Sequence, residues 1–159
     1  MSKAHVITIS DRVSAGKAED KSGAVLVRIL KDAGFEIPER LVVPDDAQLI
    51  ADAIVAAVNE GADVVVTTGG TGLGPRDVTP QATSTVLDFE VPGIAEAMRR
   101  AGAASTPMAA LSRSMAGVRG QTLIINVPGS PRGAAESLEA VMPMLAHAIK
   151  LLHGHTAHQ

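Results

Sequence analysis

Cysteine is absent from the sequence and aromatic residues are almost absent, with no tryptophan, no tyrosine and two phenylalanines among 159 residues. Without cysteine the chain has no disulfide, no thiolate nucleophile and no thiolate metal ligand, which is compatible with a reducing cytoplasm. With only Phe35 and Phe89 as rings, a bound aromatic molecule has to lie against aliphatic groups and peptide planes. The core has to be built from Ala, Val, Ile, Leu and Met, which suits helices packed on a β-sheet.

The sequence also lacks an excess of positive charge and any long apolar run. Its formal net charge is −3 with 19% charged residues, so no basic field would attract a nucleic-acid backbone. No stretch reaches the roughly 18 apolar residues of a membrane span, and the N-terminus shows no signal-peptide pattern. We therefore expect a soluble cytoplasmic protein that binds neither nucleic acid nor a membrane.

Strand-like and helix-like segments alternate in the first half of the chain. Apolar, β-branched runs predict strands at Ala4–Ser10, Phe35–Val43 and Val64–Thr68. Amphipathic patterns between them predict helices that end near Gly34 and Gly61. Three strands separated by two helices imply right-handed parallel crossovers. This pattern predicts a three-layer, doubly wound α/β fold with a mostly parallel sheet.

The second half of the chain predicts a further strand pair between helices. Short helices are expected at Ala82–Leu87 and from Pro92 onwards. The runs Ala109–Val118 and Gln121–Val127 flank a short turn, which is typical of a hairpin that adds one antiparallel strand to the sheet. The last helix contains Pro143, which removes one internal hydrogen bond, so we expect a kink or a restart there.

A chain of this length suits one domain with a substantial core. We assign residues 1–152 to that domain and residues 153–159 to a flexible tail. The tail carries His153, His155 and His158. Spaced histidines can bind metal, but at a polar terminus a solvated tail is the simpler interpretation.

The most informative stretch follows the third predicted strand. Its glycines can adopt positive φ and let a ligand approach the bare backbone, and loops at the carboxyl ends of strands are where open α/β sheets bind ligands. Arg76 and Asp77 add a charge of each sign, and Thr79 and Pro80 supply a predicted cap and first position for the next helix. This loop is therefore a predicted anion site beside a possible metal ligand. The residues expected to contact the anion through their backbone are Gly69, Gly70, Thr71 and Gly72.

Glycines after a buried strand can also serve simply as a tight connection to the next helix. The loop does not match the named phosphate-binding sequences: no lysine follows a glycine as in the Walker pattern, and Gly70, Gly72 and Pro75 do not complete the dinucleotide fingerprint. From the sequence, a phosphate-binding loop and a tight connection both remain open.

Polar residues also follow the other predicted strands. Ser10 and Asp11 come after the first strand and Asp45 after the second. Because the carboxyl ends of parallel strands meet at one edge, we expect these side chains beside the glycine-rich loop. A second loop of this kind follows the strand that ends at Val127, and two such loops can face each other across a crevice. The residues of interest in the second loop are Pro128, Gly129, Ser130 and Arg132.

Seven short motifs occur in a fixed order along nearly the whole chain. They are SDR at 10–12, DKSG at 20–23, PD at 44–45, TTGGTGLGPRDVTP at 67–80, PG at 92–93, LSR at 111–113 and NVPGSPRG at 126–133. A lone GGTG would be unspecific, whereas this ordered set resembles the MogA/MoaB family of molybdenum cofactor biosynthesis.

The resemblance implies a compact three-layer α/β domain that forms a homotrimer. It further implies molybdopterin adenylyltransferase activity, in which AMP passes from Mg-ATP to the terminal phosphate of molybdopterin and pyrophosphate is released. The product would then be handed to a molybdate-insertion enzyme. The two catalytic carboxylates of the family match Asp45 and Asp77 of this chain. Some related MoaB-type proteins replace these positions and look inactive, so their retention favours an adenylyltransferase.

The residues of the two loops suggest a division of roles. We expect the amides of Gly69–Gly72 to bind phosphate, and Asp77, with Asp45 as a helper, to hold Mg²⁺, which prefers carboxylate and phosphate oxygens. Further candidates for phosphate contact are Arg76, Ser130 and Arg132, and Arg113 can equally be a surface charge.

Structural alternatives exist for both carboxylates. Asp45 or Asp46 can cap the helix that follows, since aspartate is a preferred helix cap. Asp77 can pair with Arg76 or Arg12. For the whole protein, the alternatives to an enzyme are a non-catalytic carrier of molybdopterin and a trimeric scaffold.

Overall fold

The computed structural model describes residues 1–156, and within this range it contains a six-stranded sheet with strand order β2-β1-β3-β6-β5-β4. The strands are β1 (Ala4–Ile9), β2 (Leu41–Val43), β3 (Val64–Thr68), β4 (Phe89–Glu90), β5 (Ala116–Arg119) and β6 (Thr122–Val127). The α-helices are α1 (Asp11–Ser14), α2 (Lys21–Asp32), α3 (Ala47–Asn59), α4 (Thr79–Val86), α5 (Pro92–Ala103) and α6 (Pro131–Leu152), and a 3₁₀ helix spans Pro107–Leu111.

The sheet is parallel except for one strand. β1 pairs in parallel with β2 and β3, and β3 pairs in parallel with β6. β5 runs antiparallel to both of its neighbours, β6 and β4, so β5 is the reversed strand of the described sheet. The predicted mostly parallel α/β fold with one antiparallel strand is therefore confirmed.

Helices cover both faces of the sheet and produce three layers. On one face, α2, α5 and α6 pack against the sheet through a buried aliphatic cluster that includes Leu26, Met98 and Leu138. On the other face, α3 and α4 pack through a second cluster that includes Ile54 and Val86. β3 lies between these clusters and all five of its residues are buried, which explains why its sequence shows no polar alternation.

The register of the parallel strands brings their carboxyl ends to one level. Thr8 of β1 pairs with Thr68 of β3, and Thr68 pairs with Val127 of β6. On the other side of β1, Ile9 pairs with Val43 of β2. The loops that leave these four strands therefore meet at a single edge, as the sequence predicts.

Several local predictions are wrong in instructive ways. Thr79 does not cap α4: it is the first residue of the helix, and its hydroxyl donates to the carbonyl of Gly69 (2.8 Å) instead. The first arm of the hairpin is predicted from Ala109, but the strand begins only at Ala116. The residues Pro107–Leu111 form a 3₁₀ helix instead, and Thr106 caps this helix by accepting the amide of Met108 (3.2 Å). The short strand β4 carries too few residues for a period to be recognised.

The prediction for the last helix also needs correction. α6 runs continuously from Pro131 to Leu152, so the chain does not restart at Pro143. The helix expected from Pro92 onwards is α5, which ends at Ala103. Between residues 1 and 156, no helix is both long enough and apolar enough to cross a membrane.

The end of α6 is held by a specific contact. The Nε2 atom of His153 lies 2.7 Å from a carboxylate oxygen of Asp63, and the other oxygen of Asp63 accepts the backbone amide of Lys3 (2.8 Å). The remaining predicted tail includes residues 157–159, among them His158, which lie outside the described residues. Flexibility of the segment 153–159 stays a prediction.

Candidate functional site

The predicted site residues from four separate strand ends converge on one cavity. This cavity has a volume of about 360 Å³ and lies at the carboxyl edge of the sheet. We call it the polar cavity, because hydroxyl and carboxylate groups contribute much of its lining. Among its lining residues are Ser10, Asp20, Asp45, Gly69, Gly70, Asp77 and Gly129.

The glycine-rich loop after β3 has a shape that only glycine accommodates at its start. Gly69 and Gly70 have φ values of 104° and 67°, in the region that L side chains rarely adopt. A Cβ on Gly69 would overlap the carbonyl oxygen of Ile9, at the end of β1. The amide of Thr79 donates to the carbonyl of Gly70 (3.1 Å), which ties the loop to the start of α4. A tight connection therefore exists here, and it leaves the loop backbone bare at the cavity wall.

The second loop packs directly on the first. The hydroxyl of Thr68 donates to the carbonyl of Pro128 (2.7 Å), and a Cβ on Gly129 would lie 3.2 Å from the Cα of Gly69. Ser130 caps α6 by accepting the amide of Gly133 (3.1 Å). The two glycine-rich loops are therefore in contact, and Gly69, Gly70 and Gly129 all line the polar cavity.

Asp45 and Asp11 are fixed by a reciprocal pair of hydrogen bonds. The amide of Asp11 donates to the carboxylate of Asp45 (3.0 Å), and the amide of Asp45 donates to the carboxylate of Asp11 (3.0 Å). The capping role in this turn belongs to Asp46, whose carboxylate accepts the amide of Leu49 (3.0 Å) at the start of α3. Asp45 therefore has no part in starting the helix, and its carboxylate stands at the cavity.

The environment of Asp45 disfavours its ionised form. Partial burial raises the pKa of Asp45, and the negative charges of Asp11 and Asp77 raise it further, against the hydrogen bond from the Asp11 amide. The pKa of Asp11 itself is lowered, chiefly by its hydrogen bond with Arg76. A carboxylate held in its charged state beside other carboxylates gains from a cation that neutralises them.

Asp77 lies in the glycine-rich loop and, like Asp45, lines the polar cavity. Its carboxylate accepts the amide of Gly74 (2.9 Å), so the side chain folds back over its own loop. The alternative in which Asp77 pairs with Arg76 is not found, because Arg76 binds Asp11 at 3.0 Å. Among residues 1–156, no ion pair neutralises the carboxylate of Asp77.

The two arginines predicted to contact phosphate both have protein partners. Arg76 is bound to Asp11, as described above, and Arg132 is bound to Glu136 (2.9 Å). The Arg132 side chain is 79% exposed, so this pair is a weak surface interaction that a phosphate group can replace. Phosphate contact by either arginine stays a prediction.

A second and larger cavity adjoins the first. Its volume is about 450 Å³, and it shares Gly70, Asp77 and Gly129 with the polar cavity. We call it the aliphatic cavity, since its wall includes methionine and leucine side chains and no aromatic ring, as the composition predicts. The lining residues that matter below are Met98, Arg99, Met108, Leu111, Ser112, Ser114 and Glu136.

Sequence reasoning missed Arg99 and Glu136 in this wall. One terminal nitrogen of Arg99 donates to the carbonyls of Ser112 (3.2 Å) and Ser114 (2.9 Å). Hydrogen bonds from Ser105 and then Arg132 lower the pKa of Glu136, which keeps its carboxylate ionised. Both residues belong to amphipathic helices, where a charged residue beside the buried stripe gives no signal of a cavity contact.

The carboxylates suit one hard cation. Residues 1–156 contain no group of three or more histidine, aspartate and glutamate side chains that could hold a metal on their own. Asp45 and Asp77 offer two carboxylates at one cavity. This donor set fits Mg²⁺, which is commonly bound by one or two carboxylates together with substrate phosphates and water.

The fold and the site define a mostly parallel α/β protein with two adjoining cavities at the carboxyl edge of its sheet. The profile of a family described as "Probable molybdopterin binding domain" matches residues 5–147. The chain belongs to this molybdopterin-binding family, and the predicted resemblance is confirmed.

Individual relatives agree with this assignment. The chain is 40% identical over 152 residues to a molybdopterin adenylyltransferase of Helicobacter pylori, covering 94% of this chain and 86% of that protein. It is 43% identical to a molybdenum cofactor biosynthesis bifunctional protein of Synechococcus elongatus, covering 95% of this chain and 47% of the relative. The chain thus spans about half the length of such bifunctional relatives. The crystal structure of MoaB, a molybdopterin biosynthesis enzyme of Thermus thermophilus, superposes with a TM-score of 0.89 at 50% identity, covering 97% of this chain and 98% of that one.

Proposed function

We propose that this protein is a molybdopterin adenylyltransferase, which transfers AMP from Mg-ATP to molybdopterin and releases pyrophosphate during molybdenum cofactor biosynthesis. The observation that carries the proposal is the convergence of Asp45 and Asp77, from two separate turns, on one cavity between two glycine-rich loops. Relatives named molybdopterin adenylyltransferase, at about 40% identity, support it. Residues 1–152 act as one molybdopterin-binding unit.

The two adjoining cavities suit two substrates that must meet. The aliphatic cavity takes the pterin, since its wall offers methionine and leucine side chains for a ring and the ionised Glu136 for ring N–H groups. The polar cavity takes the nucleotide, with Ser10 in its wall, and Asp11 contributes by its hydrogen bonds with Asp45. The shared wall of Gly70, Asp77 and Gly129 is where the phosphates come together.

The reaction forms one P–O bond and breaks another. A terminal phosphate oxygen of molybdopterin attacks the α-phosphorus of ATP, and the bond between the α-phosphorus and the bridging oxygen breaks as pyrophosphate leaves. Such chemistry requires positioning and charge neutralisation more than covalent participation of the protein. The amide of Gly69 donates to the carbonyl of Val127 (3.1 Å), so the predicted phosphate contact by this amide is wrong. The amides of Gly70–Gly72 and Ser130, with Arg76 and Arg132 where substrate displaces their carboxylate partners, supply the positive field.

Mg²⁺ would be held by Asp77, with Asp45 as a second carboxylate, and would neutralise phosphate charge when bound. The rest of the work belongs to the chain. Asp11 holds Asp45 in place through the paired amide bonds, and Gly74 holds the carboxylate of Asp77. Gly129 packs closely on Gly69, so the second loop supports the first where both line the polar cavity.

The proposal is tested by incubating the protein with molybdopterin, ATP and Mg²⁺ and measuring pyrophosphate. We expect pyrophosphate to form in proportion to molybdopterin consumed, and to stop when EDTA removes the metal. Binding of molybdopterin without pyrophosphate would contradict the enzyme and support a carrier. Absence of any binding would support a scaffold.

Replacing Asp45 with asparagine is expected to reduce AMP transfer about 10²-fold without loss of stability at neutral pH. Burial raises the pKa of Asp45 above the ordinary value of 3.8, so the folded state prefers the protonated form. The stability that this preference contributes is present at acid pH and is lost as the pH rises through the raised pKa. At neutral pH the neutral amide therefore leaves the melting temperature unchanged or higher.

The matched control is Asp46→Asn in the adjacent position. Asparagine caps a helix about as well as aspartate, and the side chain of Asp46 points to α3, so activity and melting temperature should both stay near the wild-type values. Pyrophosphate release and thermal melts of both variants between pH 4 and pH 8 decide the matter. Equal loss of activity in the two variants would contradict a specific role for Asp45.

We propose that the protein assembles as a homotrimer, acts in the cytoplasm where ATP is available, and passes its product to a molybdate-insertion enzyme. Two large apolar side chains that lie on the described surface outside both cavities support assembly, namely Leu73 and Phe89, which are 67% and 57% exposed. Light scattering should give a mass of about 49 kDa, three times the 16.3 kDa of the chain. A mass near 16 kDa would contradict the trimer.

A further inference from the structure

Arg113 binds the glycine-rich loop at more points than any residue used in the mechanism above. Its backbone amide donates to the carbonyl of Thr71 (2.8 Å). Its Nε donates to the carbonyl of Gly72 (2.8 Å) and one terminal nitrogen donates to the carbonyl of Asp77 (2.8 Å). The other terminal nitrogen donates to Oε1 of Gln81 in α4 (3.1 Å). These contacts span the loop from its beginning to the helix that follows.

The chemistry of these contacts is unusual for an arginine. All its acceptors are uncharged, and within residues 1–156 no ion pair joins Arg113 to a carboxylate. The side chain is half-buried, so the cost of removing its charge from water has to be offset by hydrogen bonds. A guanidinium is suited to this geometry because its rigid planar fork can donate to several carbonyls at once.

The loop has little else to define its path between Gly70 and Asp77. The amide of Asp77 donates to the carbonyl of Gly74 (3.0 Å), and the amide of Gly74 donates back to the Asp77 carboxylate. Both bonds lie inside the short turn, so they do not fix how the turn is oriented relative to the sheet. The bonds from Arg113, anchored in front of β5, set that orientation.

We propose that Arg113 is the positioning residue that holds the glycine-rich loop so that the carboxylate of Asp77 stands at the border of the two cavities. Arg113 acts through Asp77 and need not touch substrate. The proposal rests on the function proposed above for its effect on turnover, while the effect on the loop is independent of that function.

The test compares Arg113→Ala and Arg113→Lys with Arg119→Ala. Arg119 is a matched control because it is also half-buried and donates to a backbone carbonyl, that of Val86 (2.9 Å), away from both cavities. For each variant we would measure kcat, the KM values for molybdopterin and ATP, the melting temperature, and hydrogen–deuterium exchange of the peptide covering residues 70–79.

We expect Arg113→Ala to lower kcat about 10²-fold, since a small misplacement of a catalytic group has that effect, with KM for ATP changed less than about threefold. Loop exchange should become at least about tenfold faster in this variant and stay unchanged in Arg119→Ala. Arg113→Lys should keep the fold and still lower kcat by more than about tenfold, because an ammonium cannot reach three separated acceptors.

The outcomes separate the two proposals. Wild-type loop exchange in Arg113→Ala, or full recovery of kcat in Arg113→Lys, would overturn the positioning role. If Arg113→Ala does not fold, the lysine variant alone decides. If the wild-type protein releases no pyrophosphate, the proposed function fails, and faster loop exchange in the Arg113 variants still supports the positioning role.

Discussion

Substituting asparagine for Asp77 should lower AMP transfer about 10³-fold, in line with the loss of an electrostatic contact in a preorganised site. The asparagine side chain retains an oxygen that can accept the Gly74 amide, now 2.9 Å from the carboxylate, so the loop keeps its internal bond. What disappears is the negative charge that would bind Mg²⁺. Pyrophosphate release measured across a range of Mg²⁺ concentrations checks the prediction, with a melting temperature within about 2 °C of the wild type.

Asp88 provides the control for this substitution. Its carboxylate also accepts a backbone amide, that of Gly120 (2.7 Å), at an exposed turn, and it lines neither cavity. Asp88→Asn therefore makes the same chemical change without touching the site, and turnover should stay within about twofold of the wild-type rate. Unchanged turnover in Asp77→Asn would exclude both its catalytic role and its role as a metal ligand.

A methyl group at Gly69 should produce the largest loss of stability. Gly69 has a φ of 104°, and a Cβ there would overlap the carbonyl oxygen of Ile9, which belongs to a strand and cannot move aside. Backbone strain and overpacking together predict that Gly69→Ala lowers the free energy of unfolding by roughly 3 to 5 kcal/mol, or roughly 10 °C in melting temperature. Calorimetry or thermal melts measure this loss.

A substitution at Gly16 separates the cost of backbone strain from the cost of overpacking. It also has a positive φ, of 73°, but a Cβ there would meet no atom within 4 Å. Gly16→Ala should therefore show the conformational cost alone, about 1 to 2 kcal/mol. If the two variants melt at the same temperature, the close approach of the two strand ends has no energetic consequence, and the argument that glycine is required for packing at Gly69 is wrong.

The sequence predicts the central part of the fold because its signals there are local. Val64–Thr68 is β-branched and apolar throughout, and the strand is buried on both faces, as its pattern indicates. Asp20 directly precedes α2 and has a residue type preferred at helix caps, and its carboxylate accepts the amide of Gly23 (3.0 Å). Such features depend on residues a few positions apart, where propensity and hydrogen bonding agree.

Predictions fail where a distant partner competes with a local one. Thr79 has the residue type of a cap, but the carbonyl of Gly69, ten residues earlier, takes its hydroxyl. Between Asp45 and Asp46 the sequence offers no way to choose the cap, because both precede α3 and both are aspartate. The choice is made by the amide of Asp11, which engages Asp45 from another strand end.

The second cavity could not have been predicted for a similar reason. Its charged wall residues reach it from helices whose sequences satisfy the ordinary amphipathic pattern, and the carbonyl acceptors of Arg99 lie 13 and 15 residues further along the chain. From the sequence, Arg113 could be either a site residue or a surface charge. The groups that accept hydrogen bonds from its side chain lie 32 to 41 residues away in the chain. Only the folded chain reveals what these arginines bind.

The two neighbouring aspartates of the turn after β2 have separate roles, one in the fold and one at the cavity. Asp46 secures the start of α3, and Asp45 faces the cavity with a charge that the folded state does not favour. A single substitution at Asp45 can therefore remove the role at the cavity and leave the fold intact. A descendant that had lost its chemistry would still fold, persist and become available for recruitment to a new task.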